Sequence, residues 1–141
     1  WENEPDLDIE LMSQTFLSTP HIAGYSADGK ANGTAIVVNT LCEKFDLPLK
    51  KWYPSKIPQP ENPYLEIDCK GKSTQEIVAI AISHTYDIDN DNINIKFSPS
   101  DFERQRGEYG IRREYPAFTV KLKAGSPEIK KLIKAIGFKV I

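Results

Sequence analysis

Two side chains near the start of the chain have the chemistry of a proton relay. His21 follows Pro20 just before a glycine-rich stretch, and Glu4 lies in a polar segment next to Pro5. An imidazole changes charge near neutral pH, and a neighbouring carboxylate fixes its tautomer and favours the protonated ring. A single histidine is more often structural than catalytic, so the residue types alone leave both interpretations of His21 open.

Two other patterns are similar to ligand-binding loops, but each lacks an essential residue. The segment from Gly24 to Ala31 nearly matches a phosphate-binding loop, yet Ala31 stands where a Ser or Thr must hold Mg²⁺. Asp87, Asp89 and Asp91 alternate like the start of a calcium loop whose required glycine and glutamate are missing. We therefore predict no nucleoside triphosphate site and no metal site, and interpret the aspartates as an acidic turn.

Composition excludes several classes of function. The formal net charge of −2 provides no basic surface for nucleic acid, and no run of apolar residues is long enough for a membrane span. Cys42 and Cys69 are too few for a disulfide framework, which indicates buried thiols in a reducing compartment such as the cytoplasm. The chain opens on Trp1 in a polar run without an initiator Met, so we expect it to be a piece of a longer protein.

Residues 1–47 predict the elements that would carry His21. We expect a short helix around Leu7–Met12, a brief buried strand at Phe16–Leu17, and a long helix that begins after an N-cap at Ser26. Gly29 and Gly33 lie in the first two turns of this helix, where glycine is unfavourable. Their presence predicts a close backbone approach to a neighbour or a ligand.

The chain changes character at residue 48. Half of its ten prolines lie in residues 48–63, which indicates an extended linker. Residues 64–141 then predict a small α+β unit with three strands and three helices. The strands are expected at Tyr64–Cys69, Phe118–Leu122 and Phe138–Ile141, and the helices begin at a Ser73–Glu76 capping box, at Ser98-Pro99 and at Ser126-Pro127.

The segments 1–5 and 19–24 resemble the end of the catalytic region in the D-2-hydroxyacid dehydrogenases. That family has an acidic residue before proline and, after a short helix and strand, the motif Thr-Pro-His-Ile-Ala/Gly-Gly, which this chain matches from Thr19 to Gly24. The continuation through Tyr25, together with the stretch from Phe102 to Glu114, resembles a member of the family that has its own dimerisation domain and a phosphorylated substrate.

The resemblance implies an NAD-dependent oxidoreductase that acts on a small phosphorylated hydroxy acid. Glu4 and His21 would be catalytic, Gly24 would lie beside NAD, and Tyr25 would contact the substrate. The implied fold is α+β. Residues 1–47 would form the strand–loop–long-helix tail of an α/β dehydrogenase catalytic region, 48–63 a linker, and 64–141 a dimerisation domain that makes a homodimer.

This chain also departs from the family pattern. The family's substrate-binding arginine, its Gly-x-Gly-x-x-Gly turn and its ribose-binding aspartate have no counterpart here, so we expect the fragment alone to be inactive and to bind NAD poorly. An alternative is a non-catalytic regulatory or oligomerisation module of another member. Two interpretations of the arginines near residue 108 stay open. They form a solvated basic helix end, or one or two of them bind a phosphate in the partner subunit's active site; the four residues are Arg104, Arg106, Arg112 and Arg113.

Overall fold

The computed structural model describes all residues 1–141 and confirms an α+β fold. It contains six α-helices, two single 3₁₀ turns and one parallel sheet of three strands. In chain order the elements are α1 (Ile9–Gln14), α2 (Ala27–Lys44), β1 (Tyr64–Asp68), α3 (Thr74–Thr85), α4 (Ile88–Phe97), a 3₁₀ turn (Pro99–Asp101), α5 (Phe102–Gly107), a second 3₁₀ turn (Tyr115–Ala117), β2 (Thr119–Lys123), α6 (Pro127–Ile136) and β3 (Lys139–Val140).

The main core lies on one face of the sheet. The strands are ordered β1–β2–β3, all parallel, and Tyr64 aligns with Thr119, which aligns with Lys139. Val120 and Ile133 are fully buried, and burial of such a side chain contributes about 1.5–3 kcal/mol. The buried members of this core are Ile67, Cys69, Ile77, Ala81, Phe118, Val120, Leu122, Ile133 and Phe138.

The opposite face of the sheet is open and charged. Alternation places Glu66 and Lys121 outward while their strand neighbours point into the core. Glu66 forms ion pairs with Lys121, at 2.9 Å, and with Lys123. Tyr64 on the same face is 73% exposed. The sheet is therefore one-sided, and helices cover only its inner face.

Local capping signals define the ends of the helices as the sequence predicts. Ser73 accepts a hydrogen bond from the N–H of Glu76, and the Glu76 carboxylate accepts one from the N–H of Ser73, which completes the predicted capping box. The Ser126 hydroxyl accepts from the N–H of Ile129 at the start of α6. Gly137 ends that helix with a φ of +121°, a backbone conformation that favours glycine.

A second, smaller core joins the start of the chain to the C-terminal region. Met12, Ile95 and Phe102 are buried together, and Trp1 and Leu7 pack against them. This core therefore links the N-terminal loop and α1 with α4 and α5. The division into segments 1–47, 48–63 and 64–141 stays a prediction.

Two predicted local structures are wrong, and residues 64–141 contain four helices instead of the three predicted, because α4 was not predicted. Phe16 and Leu17 form no strand, and the Phe16 side chain is 92% exposed, because no strand of the sheet lies beside this segment to pair with it. Asp87, Asp89 and Asp91 do not form a simple acidic turn. Asp87 is the N-cap of α4 and the other two lie in its first turn, where carboxylates interact favourably with the helix dipole.

The proline-rich segment contains no helix or strand, and part of it lies against α2. The Asn39 side chain donates to the carbonyl of Trp52 and accepts from its N–H, at 2.9 and 2.6 Å. Both cysteines are buried and unpaired, as predicted. None of the helices combines the length and apolar character that crossing a membrane requires.

Candidate active site around His21

The structure brings Glu4 and His21 together. Both carboxylate oxygens of Glu4 lie 2.8 Å from Nδ1 of His21. An ionised carboxylate can only accept, so Nδ1 carries the hydrogen and donates it. The imidazole side chain is 52% exposed, and Nε2 has no hydrogen-bond partner in the chain. This arrangement leaves Nε2 as the atom that can take up or release a proton.

A strained loop holds His21 in place. Its φ of +55° lies in the left-handed region, which non-glycine residues seldom occupy. The N–H of His21 and the indole N–H of Trp1 both donate to the carbonyl of Thr19, each at 2.9 Å. The backbone nitrogen of Trp1 also donates to Glu4, at 2.9 Å. Trp1 thus connects the loop of the carboxylate to the loop of the imidazole.

The glycines that follow His21 shape the turn into α2. Gly24 has a φ of +68°, and the N–H of Tyr25 donates to the carbonyl of Ile22 to close the turn. A Cβ on Gly29 would lie 2.6 Å from the carbonyl oxygen of Gly24, so the predicted close backbone approach exists at Gly29. Open space surrounds Gly33, and nothing in this chain requires a glycine there.

Tyr25 lies among aromatic and cationic groups. The Tyr109 ring meets it edge to face, with 5.9 Å between the centroids. Nζ of Lys30 is 3.8 Å from the Tyr25 centroid, and Cζ of Arg106 is 5.8 Å from it. Cations near an aromatic face are attracted by its quadrupole. Two cations therefore lie close to the Tyr25 ring.

Glu4 and Tyr25 share a cavity of about 330 Å³, with α5 as the opposite wall. The lining residues are Glu4, Pro5, Tyr25, Phe102, Glu103, Arg106 and Gly107. A larger cavity, of about 1060 Å³, lies between α2 and the proline-rich segment and contains none of the predicted site residues. The smaller cavity is thus the one that contains Glu4 and Tyr25, while His21 and Gly24 do not line it.

A half-buried hydrogen-bond network holds the Tyr109 side chain. The phenols of Tyr109 and Tyr86 both donate to Oδ2 of Asp91, each at 2.7 Å. Burial, together with the Asp91 carboxylate, raises the pKa of Tyr86 to about 12, and the same causes raise the pKa of Tyr109. Both phenols therefore stay protonated as donors. No motif in the sequence indicates that Asp91 is the common acceptor of the two phenols.

The start of α2 is attached to the segment that leads into β2. Asp28 accepts from Nε of Arg113 at 2.8 Å, and from the N–H of Glu114 at 2.8 Å. The Arg113 guanidinium holds the pKa of Asp28 below its usual value. The N–H of Ala27 also donates to the carbonyl of Arg112. No motif in the sequence indicates that Asp28 forms this contact, because its partner lies 85 residues away.

The four arginines singled out from the sequence have different surroundings. Arg113 is paired with Asp28, and Arg112 lies over the Tyr86 ring, with Cζ 4.4 Å from the centroid. Arg104 is an exposed residue that pairs with carboxylates on its own helix turn. Arg106 forms no salt bridge, and its Nε is buried without a hydrogen-bond partner. Only Arg106 lines the cavity that contains Glu4.

We predict that the contact between Glu4 and His21 weakens only in acid. The hydrogen bond to His21, followed by that to the Trp1 amino group, holds the pKa of Glu4 below its ordinary value of 4.5. A lowered carboxyl pKa contributes stability that is present above the ordinary pKa and is lost as pH falls through the lowered one. Carboxyl-carbon NMR of the chain should show this titration directly.

The matched control for this titration is Glu128, whose pKa is lowered by Ser126 at the distant start of α6. His21→Asn should move the pKa of Glu4 back towards 4.5 and leave the titration of Glu128 unchanged. An unchanged Glu4 titration in that variant would mean that the imidazole does not stabilise the carboxylate.

Comparisons with known proteins point to one group of enzymes. The chain is 34% identical to an erythronate-4-phosphate dehydrogenase of Porphyromonas gingivalis over 98% of its own length and 36% of that protein. It is 33% identical to that of Marinobacter nauticus over 99% of the chain and 38% of the relative. For Bacteroides fragilis the identity is 39%, over 85% of the chain and 32% of the relative.

The chain therefore spans about a third of the length of these relatives. A family described as a domain of unknown function, DUF3410, matches residues 57–137. This match includes strands β1 and β2 and helices α3 to α6, and it ends just before β3. Because it extends over more than half of the sequence, the chain belongs to the DUF3410 family.

Proposed function

We propose that this chain is the C-terminal part of an NAD-dependent oxidoreductase that converts 4-phospho-D-erythronate to 2-oxo-3-hydroxy-4-phosphobutanoate. The reaction would belong to pyridoxal phosphate (vitamin B6) biosynthesis in the cytoplasm. The similarity to erythronate-4-phosphate dehydrogenases supports the enzyme class. The observation that carries the proposal is the contact of the Glu4 carboxylate with Nδ1 of His21, which leaves Nε2 available.

The proposed role of His21 follows from the balance of the oxidation. Conversion of the C2 hydroxyl to a carbonyl releases one proton from oxygen and one hydride from carbon. Nε2 of His21 accepts the proton, and the ring becomes an imidazolium. Glu4 holds the ring in the tautomer that leaves Nε2 free, and its negative charge stabilises the imidazolium. In the reverse direction His21 acts as the proton donor.

The residues of this chain fit one end of a dinucleotide cofactor. Gly24 is exposed, its φ is +68°, and nothing lies within 4 Å of the position that a Cβ would occupy. The backbone beside His21 therefore leaves room for a flat ring. When bound, NAD supplies the acceptor for the hydride. Gly24 would contact it, Tyr25 would contact the substrate, and the rest of the nucleotide site would come from elsewhere in the longer protein.

The proposal is tested by turnover of the full-length protein. Incubation with NAD and 4-phospho-D-erythronate should give NADH, measured by absorbance, and a 2-oxo acid. The isolated 141-residue chain should give neither product. If the full-length protein bound a small molecule through residues 64–141 but oxidised no 2-hydroxy acid, the alternative of a non-catalytic regulatory or oligomerisation module would replace the enzyme.

We also propose that residues 64–141 form a homodimer. Ile93 and Phe97 lie one turn apart on α4 and are 62% and 87% exposed. Large apolar side chains grouped on one surface are typical of protein interfaces. Sedimentation velocity of the chain at micromolar concentration should therefore show a dimer. Phe97→Asp should shift it towards monomer, and a monomeric parent chain would remove the proposal.

A further inference from the structure

Arg106 is a half-buried cation that lacks an anionic partner. Its Nε atom is shielded from solvent and makes no hydrogen bond, and the guanidinium is in none of the ion pairs of the chain. A buried donor without a partner carries a desolvation cost that native proteins avoid. Arg104 and Arg113 have carboxylate partners, and Arg112 lies over the Tyr86 ring, so Arg106 alone has a buried side-chain atom without a hydrogen-bond partner.

The available carboxylates near Arg106 do not satisfy it. Glu4 lines the same cavity, but both of its oxygens contact Nδ1 of His21. Glu103 lies on the same helix and lines the cavity as well, yet it forms no ion pair with Arg106. An anion from outside the chain would complete the hydrogen bonding of the guanidinium.

The position of Arg106 indicates which anion this is. The cavity that it lines also contains Glu4 and Tyr25, and Glu4 holds the imidazole at which we place the reacting hydroxyl. Resting on the proposed function, the substrate carries a carboxylate next to that hydroxyl and a phosphate at its far end. The planar guanidinium fork matches phosphate oxygens, and the Lys30 ammonium beside the Tyr25 ring places a second cation near the cavity.

We infer that Arg106 binds the phosphate group of the substrate within its own subunit. This differs from the sequence-based hypothesis, in which one or two of the four arginines reach across to the partner subunit. Helix α5 therefore contributes a specificity residue to the site as well as Phe102 to the small core. Arg104 remains a surface residue paired with Asp101 and Glu108.

The test compares phosphorylated and unphosphorylated substrates in the full-length enzyme. Arg106→Met keeps much of the side-chain length and removes the charge. We expect kcat/KM for 4-phospho-D-erythronate to fall roughly 10- to 100-fold, the usual effect of a lost hydrogen bond to a charged group. The kcat/KM for D-erythronate, which lacks the phosphate, should fall much less than that for the phosphorylated substrate, and urea unfolding checks that the variant folds. Arg104→Met is the control and should change neither value.

A binding measurement on the 141-residue chain separates this inference from the proposed function. Inorganic phosphate should shift the NMR signal of the Arg106 Nε–H group, and Arg106→Met should abolish saturable binding. If phosphate binds but the full-length protein oxidises nothing, the anion site stands and the proposed reaction fails. The inference is overturned if Arg106→Met lowers kcat/KM equally for the two substrates. It is also overturned if the NMR signal of Arg106 responds to the substitution Glu103→Gln but not to phosphate.

Discussion

His21→Asn should lower kcat of the full-length enzyme by a factor of about 10²–10⁴, the usual contribution of a general base. Asparagine suits this test because it tolerates the left-handed backbone that His21 adopts at φ +55°. It can accept a hydrogen bond but cannot take up the proton of the hydroxyl. Steady-state kinetics with saturating NAD would measure the loss, and KM should change much less than kcat.

The control for this substitution is the second histidine of the chain. His84 contacts the carbonyl of Asn62 through Nε2 and meets the Phe118 ring edge to face, away from the cavity. His84→Asn should leave kcat within about 3-fold, although it should lower stability by about 1 kcal/mol through the lost hydrogen bond. A His21→Asn enzyme with near-normal kcat would show that the proton is taken by another group.

Gly29→Ala should destabilise the chain by about 1–3 kcal/mol, the usual cost of overpacking. Helix propensity alone predicts the reverse, because alanine is favoured over glycine by about 1 kcal/mol in a helix. The added Cβ would lie 2.6 Å from the Gly24 carbonyl oxygen, a backbone atom that cannot move without opening the turn after His21. Urea unfolding should show a lower midpoint with an unchanged slope.

Gly33→Ala provides the matched control, one helical turn further along α2. Open space surrounds this position, so the same substitution should raise the free energy of unfolding by up to about 1 kcal/mol. The two variants therefore have opposite expected signs. If both substitutions stabilised the chain, the close contact between Gly29 and Gly24 would not exist in solution.

Local features of the fold could be predicted because they depend on neighbouring residues. Ser26, Ser73 and Ser126 each cap a helix where the sequence predicts one, since the cap bonds to a backbone group three residues away. The strand expected at Phe16–Leu17 is absent because a strand needs a partner from elsewhere in the chain. The apolar residues Phe16 and Leu17 do not indicate by themselves whether a neighbouring strand is present.

The same distinction applies to the candidate site. The resemblance to the dehydrogenases suggested that Glu4 and His21 act together, and the structure places them in contact. The pairing of Asp28 with Arg113 joins residues 85 positions apart, and no spacing rule predicts it. The sequence does not predict that Nε of Arg106 lacks a hydrogen-bond partner either, because this depends on which residues surround each of the four arginines in the folded chain.

The small core around Met12 and Phe102 makes the N-terminal loop part of the same cooperative unit as α4 and α5. If that unit opens locally, the Trp1 loop is released and the Glu4 carboxylate moves away, while α2 can keep its own cap at Ser26. A ligand that touches both Glu4 and Arg106 would shift this equilibrium towards the closed form by mass action. Amide hydrogen exchange in α4 and α5 would then become slower when the ligand occupies the cavity. The slowing in α4 would be indirect, because α4 contributes no lining residue to the cavity.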